Sequence, residues 1–179
     1  RMSLRSRVCH LALVACLLCT APLQAQTAGA VAAGPLHQIF TEYWEHQLRE
    51  WPTYATFVGD NRYDDRLEDL SPNAVFRRRA QHQEFIRRLD AIDAAALAEP
   101  DRVSRSVLLY LLRAEARGDR LLGDLPLEFR MFASPTPVTQ MDGPQFWLPL
   151  VVLGTRFAAV RDYEAYLKRL AAMPAFATQ

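Results

Sequence analysis

Glu42, His46 and Glu50 place two carboxylates on either side of an imidazole at four-residue spacing, along one edge of a helix. Carboxylates and imidazole are metal ligands, but three residues strung along several turns of one straight helix cannot converge on a single ion. A solvated edge laced with ion pairs is the expected role of this set. Beyond the first twenty-five residues the only other histidines are His37 and His82, and none of the three falls in H-E-x-x-H. That spacing puts two histidines on one helical face to hold zinc, with a glutamate as base.

A second acidic group, Asp60, Asp64, Asp65, Glu68 and Asp69, suggests calcium by composition alone. It lacks the glycine and the alternating oxygen ligands of a calcium loop, and Arg62 and Arg66 are interleaved to neutralise it. Helix capping and loop hydrogen bonding are the expected roles, with Asp69 or Ser71 serving the free amides of the next helix. Arg77, Arg78, Arg79, Arg87 and Arg88 look like a basic patch. Consecutive residues on a helix point about 100° apart, so these arginines make no single stripe. A solvated surface with Glu84, Asp90 and Asp93 as partners is expected instead.

No serine sits in G-x-S-x-G, no glycine-rich phosphate loop is present, and Gly154-Thr155 is too isolated to carry meaning. Tyr163, Tyr166 and Arg169 could line a channel, although tyrosines three apart more often sit at a core edge. No residue is assigned a catalytic, cofactor-binding or metal-binding role.

The elements that must position these residues read as helices. Leu36, Ile39, Phe40, Tyr43, Trp44, Leu48 and Trp51 recur at spacings of three and four behind Pro35, which suits a first helical turn. Pro52 stops that helix, a short helical turn from Thr53 ends at Gly59, and an Asp-rich loop follows. Trp51, Tyr54, Phe57 and Tyr63 offer this joint apolar bodies to pack. Ser71-Pro72 opens the next helix, with Phe76, Phe85, Ile86, Leu89 and Ile92 on its buried side. A helix after Pro100-Asp101 carries Val103, Val107, Leu108, Leu111 and Leu112. Between Leu121 and Pro149 the prolines and Gly143 imply an irregular segment that still holds Phe129, Phe132, Phe146 and Trp147. A last helix starts near Arg161-Asp162, carries Tyr163, Leu167 and Leu170, and ends at Pro174. No segment alternates like a strand, so the expected class is all-α.

Of 179 residues, 50% are apolar and 10% aromatic, enough for a buried core. Residues 1–25 read as an export signal: Arg5 and Arg7, an apolar run from Val8 to Cys19, then Ala21 to Ala25 for cleavage. Leu13-Val14-Ala15-Cys16 supplies a competing lipoprotein reading, in which Cys16 would carry the chain to a membrane. All three cysteines, Cys9, Cys16 and Cys19, lie in this region, so residues 26–179 have no disulfide or thiolate chemistry. Without residues 1–25 there are 18 basic against 20 acidic side chains, which gives no electrostatic case for nucleic acid.

The order Pro52, Ala55-Thr56, Gly59, Tyr63-Asp64, Leu67, Asp69, Ser71 resembles the amino-terminal signature of the bacterial domain of unknown function 885 family. Asp162 to Leu170, followed by Pro174, resembles a later segment of it, so the likeness runs from about Leu36 onward. The resemblance implies an exported, all-helical protein related to gluzincin-type zinc metallopeptidases. It further implies that zinc belongs to a fuller protein, that the partner of this segment is the remainder of its own chain, and that a peptide is the substrate. The chain opens with Arg1 ahead of Met2 and closes where the family continues, so a truncated, inactive fragment that is unstable or associates is expected. The alternative is a self-contained exported helical module that binds a partner through the aromatics around Phe132 and Trp147.

Overall fold

A computed structural model describes residues 21–122 and 143–178, the side chains from residue 34 onward, and every described element is helical. The helices are α1 (Ala21–Glu50), α2 (Pro52–Phe57), α3 (Pro72–Asp90), α4 (Glu99–Leu122), α5 (Pro144–Gly154), α6 (Val160–Ala171) and α7 (Met173–Phe176). Single 3-10 turns stand at Asn61–Tyr63 and Ala94–Ala96. No strand occurs among the described residues, as the all-α reading requires. Most of the proposed signal, with Phe129 and Phe132, lies outside the described residues. Among those residues no helix is long and apolar enough to cross a membrane.

The core forms where α1, α3 and α4 meet. Leu36 and Ile39 of α1 pack with Phe85 and Leu89 of α3, with Leu97, and with Leu108, Leu109 and Leu112 of α4. Tyr43 closes one side with its ring edge-on to Phe85 at 5.5 Å. The α1 stripe buries Leu36, Ile39 and Leu48 as its periodicity predicts. Its start differs: the helix begins at Ala21, and Pro35 lies inside it rather than in a first turn.

The joint after α1 follows the turn chemistry. Pro52 takes the first position of α2, and Gly59 ends the turn at φ +90, a left-handed conformation that glycine adopts without a Cβ penalty. Ser71 caps α3, its Oγ accepting from Ala74 N at 3.3 Å, while Pro72 holds the first helical position.

Two expectations are corrected, at α3 and at α5. On α3 the buried line is Val75, Arg78, His82, Phe85 and Leu89, and Phe76 is exposed. Two polar residues occupy stripe positions there because the neighbouring helices supply partners for them. On α4, Leu108, Leu109, Leu112 and Ala116 face inward, whereas Val103, Val107 and Leu111 stand about half exposed. That helix has two apolar lines and only one is covered. Residues 144–149, the end of the segment expected to be irregular, belong instead to α5, because Pro144 sits at the helix start where a missing N–H costs nothing. The α5 helix packs on α2.

Gly154, set aside in the sequence, is the point of closest approach there. A Cβ at this position would lie 3.3 Å from the backbone oxygen of Thr56. Beside it, Thr155 Oγ1 donates to Val151 O at 2.8 Å and closes the helix end. Trp147 of α5 meets Phe176 of α7 edge-on at 5.8 Å.

Candidate functional site

Two clusters of buried charge stand at the ends of the joint. The first gathers α2, the Asp-rich loop and α6 around Arg169, whose exposure is 0%. Its Nε donates to Arg66 O at 2.8 Å, and its Nη2 donates to Thr56 Oγ1 at 2.8 Å and Tyr63 O at 2.9 Å. Asp64 Oδ1, 3.6 Å away, supplies the countercharge. Thr56 passes the contact on, its hydroxyl lying 2.5 Å from Asp64 Oδ1. Glu68 Oε1 accepts from Thr53 N at 3.0 Å and from the Thr53 hydroxyl. Burial pushes the Glu68 carboxyl above the usual range, against the opposing pull of the Thr53 hydrogen bonds and Arg169. Glu68 Oε2 and Arg169 Nη1 are buried without a hydrogen-bond partner among the described residues.

The second cluster lies between α1 and α3, with α4 behind it. Arg78, 2% exposed, donates to Asp69 O at 2.7 Å, contacts Glu50 Oε2 at 3.4 Å and stacks over Trp51 at 5.1 Å. Arg77 shares the same Glu50 oxygen at 3.1 Å. One turn inward His46 and His82 meet edge to face, ring centroids 5.7 Å apart, and Phe85 tilts against His46 at 5.8 Å. Glu115 Oε2 of α4 lies 2.9 Å from His82 Nδ1. Burial lowers the His46 pKa to about 4, and the neighbouring His82 pushes the same way.

These positions correct two expectations and support a third. Glu42 does lie on an edge, paired with Arg88, but His46 and Glu50 are buried and are not a solvated edge. The five arginines do not form a uniformly solvated surface: Arg77, Arg87 and Arg88 make ion pairs with Glu50, Glu84 and Glu42, whereas Arg78 is core. Of the expected partners only Glu84 serves them. Asp90 binds Arg113 at 2.7 Å, and Asp93 accepts from Ala95 N. Capping by the acidic loop is found at Asp60, which accepts from Arg62 N at 3.1 Å, and at Asp69, which accepts from Ser71 N at 3.0 Å. Asp64 and Glu68 instead go inward.

Of the joint aromatics, Tyr63 carries Arg62 and Arg66 on its ring, while Phe57 is exposed. Tyr163 and Tyr166 pack against Phe157 at 4.8 and 5.6 Å. Arg169, the residue the sequence reading left without a role, is the one that ties the two signature segments together. Its signal is weak: a cation one helical turn past Tyr166 and directly after the exposed Lys168, with nothing local to mark it as the buried one of the two.

The closest approach to a metal centre is His46 with His82, whose Nε2 atoms are both buried and without partners among the described residues. A zinc site needs three protein ligands or more. Glu115 is turned to His82 Nδ1, Glu50 is held by two arginines, and among the described residues no three His, Cys, Asp or Glu side chains could hold an ion. The zinc implied by the resemblance does not fit these residues.

No curated protein and no solved structure matches the chain. Residues 52–179 match the family described as a bacterial protein of unknown function, DUF885, beginning at the proline that opens α2. The match takes in both halves of the Arg169 cluster, the loop and α6, and leaves out residues 36–51, where the resemblance had been read to start. The chain belongs to the DUF885 family.

Proposed function

We propose that this chain is the amino-terminal, structural portion of an exported zinc-dependent peptidase-like hydrolase, inactive by itself. On this reading zinc and peptide substrate belong to the complete protein, and the immediate partner of this segment is the remainder of that helical body. One observation carries it: three helices each present an exposed apolar line at helical spacing. These lines are Val103, Val107 and Tyr110 on α4, Phe146, Leu150 and Leu153 on α5, and Val160, Tyr163 and Leu167 on α6. Leu153 is 83% and Tyr110 67% exposed. Apolar lines of this kind are the surfaces on which further helices pack. Family membership supports the same reading, and the peptidase part of it rests on the resemblance.

The test compares the complete gene product with residues 26–179. Zinc bound stoichiometrically and chelator-sensitive peptide hydrolysis in the former, with neither in the latter, is the expected result. A complete product without hydrolase activity, together with a monomeric, cooperatively melting 26–179, would favour the self-contained binding module.

A further inference from the structure

Among the described residues, His46 and His82 are the imidazoles buried in the core, and their arrangement has a chemical consequence. Both Nε2 atoms are buried without partners among the described residues, and the rings touch edge to face. His82 has the Glu115 carboxylate of α4 at its Nδ1, a countercharge for a proton. His46 has none to itself. On its own helix it faces Arg49, whose Nη2 lies 3.4 Å from His46 Nδ1, and Glu50, whose carboxylate is already shared by Arg77 and Arg78. From α3 it faces the Arg78 cation, His82 and the apolar ring of Phe85.

Two imidazolium ions in contact, one of them among arginines, repel in a medium that screens little. The cheapest relief is to let water reach them by parting α1 from α3. We propose that the His46–His82 contact is an acid-sensitive joint: charging the pair opens the seam between α1 and α3, and neutralising it closes the seam again. The direction of the His46 shift agrees, since the folded environment resists its proton. His37 lies outside this joint, exposed on α1 with Asp101 Oδ1 2.9 Å from its Nε2.

The reporter is Trp51, which Arg78 covers at the end of the seam. Its emission is followed from pH 7.5 to 4 and back in the full chain carrying Trp44→Phe and Trp147→Phe. Imidazole resonances of the unsubstituted chain are titrated in parallel. A reversible change in Trp51 emission with its midpoint between pH 6.5 and 4, tracking two core imidazole resonances, is expected. His46→Gln and His82→Gln should each move that midpoint down by at least one pH unit, and His37→Gln should leave it in place. If His46→Gln fails to fold, the parallel titration of the unsubstituted chain decides. Core imidazoles that gain protons while Trp51 is unmoved, or a midpoint unchanged in both Gln variants, would overturn the joint.

Discussion

The two buried charge clusters answer the same physical problem differently. Around Arg169 the cation is met by the backbone oxygens of Tyr63 and Arg66 and by one threonine, with Asp64 as countercharge. Around Arg78 and His46 the backbone oxygen of Asp69 supplies one contact, and the neighbouring groups are Glu50, shared by two arginines, His82 and the Trp51 ring. Backbone oxygens cannot lose their charge-accepting capacity with pH, so the first cluster is a fixed latch. The second is conditional. Buried ion pairs add little net stability over apolar substitutes, yet removing one member leaves the others uncompensated.

The largest test of the comparison is Arg169→Met. It strands Asp64, Thr56 and the carbonyls of Tyr63 and Arg66, and the expected loss is about 3–5 kcal/mol, read by chemical denaturation. For a domain of marginal stability that is loss of the fold. A substitution costing under about 1 kcal/mol would mean that the latch is water-filled and not a structural tie.

Next in size is the response to acid, where the clusters should diverge. His46 has a folded pKa of about 4 against 6.5 when free, so its neutral form stabilises the fold above pH 6.5. That contribution, on the order of 3 kcal/mol, is lost progressively as pH falls through about 4. Glu68 runs the other way. Its carboxyl is raised above 4.5, so its contribution is complete below that value and is lost as pH rises through the folded pKa. Amide protection, corrected for the intrinsic pH dependence of exchange, should therefore fall between pH 7 and pH 5 in the α1–α3 seam before it does in α2 and α6. An equal fall of protection in both regions would erase the distinction between them.

How much of this was legible beforehand divides along the same line. The helical class, the α1 stripe, the Pro52 break, the Gly59 turn and the Ser71 cap follow from local rules acting on adjacent residues. Asp60 and Asp69 follow too, because a cap reaches only two residues along the chain. Arg78, His82 and Arg169 did not. Each is a polar residue in a buried position, and whether such a residue is core or surface depends on partners from other helices. Arg169 meets Thr56 across 113 residues, a distance no periodicity spans. The covered line of α4 was not legible for a related reason: with apolar residues on two sides, spacing alone does not say which side the core takes.

Smaller effects probe the joint between the clusters. Gly59 sits at φ +90 with nothing within 4 Å of where a Cβ would stand. Gly59→Ala therefore isolates the backbone cost of the left-handed turn, about 1–2 kcal/mol, measured as a fall in the denaturation midpoint with an unchanged slope. A changed slope would point to altered compactness and not to turn strain.

The smallest expected effect is at Ser71, which lies between the clusters and belongs to neither. Its side chain accepts the Ala74 N–H at the start of α3 and also hydrogen-bonds the Asp69 carboxylate. Ser71→Ala removes that acceptor and should cost about 1 kcal/mol, whereas Ser71→Gly, which frees the backbone to find water, should cost only a few tenths. Both losses should be independent of pH between 4 and 7, since the Asp69 carboxyl that shares the Ser71 side chain is held below its usual range and stays ionised throughout that interval. If the Ala variant instead loses stability mainly at low pH, the cap is coupled through Asp69 to Arg78 and the conditional cluster extends one turn further than its side chains suggest.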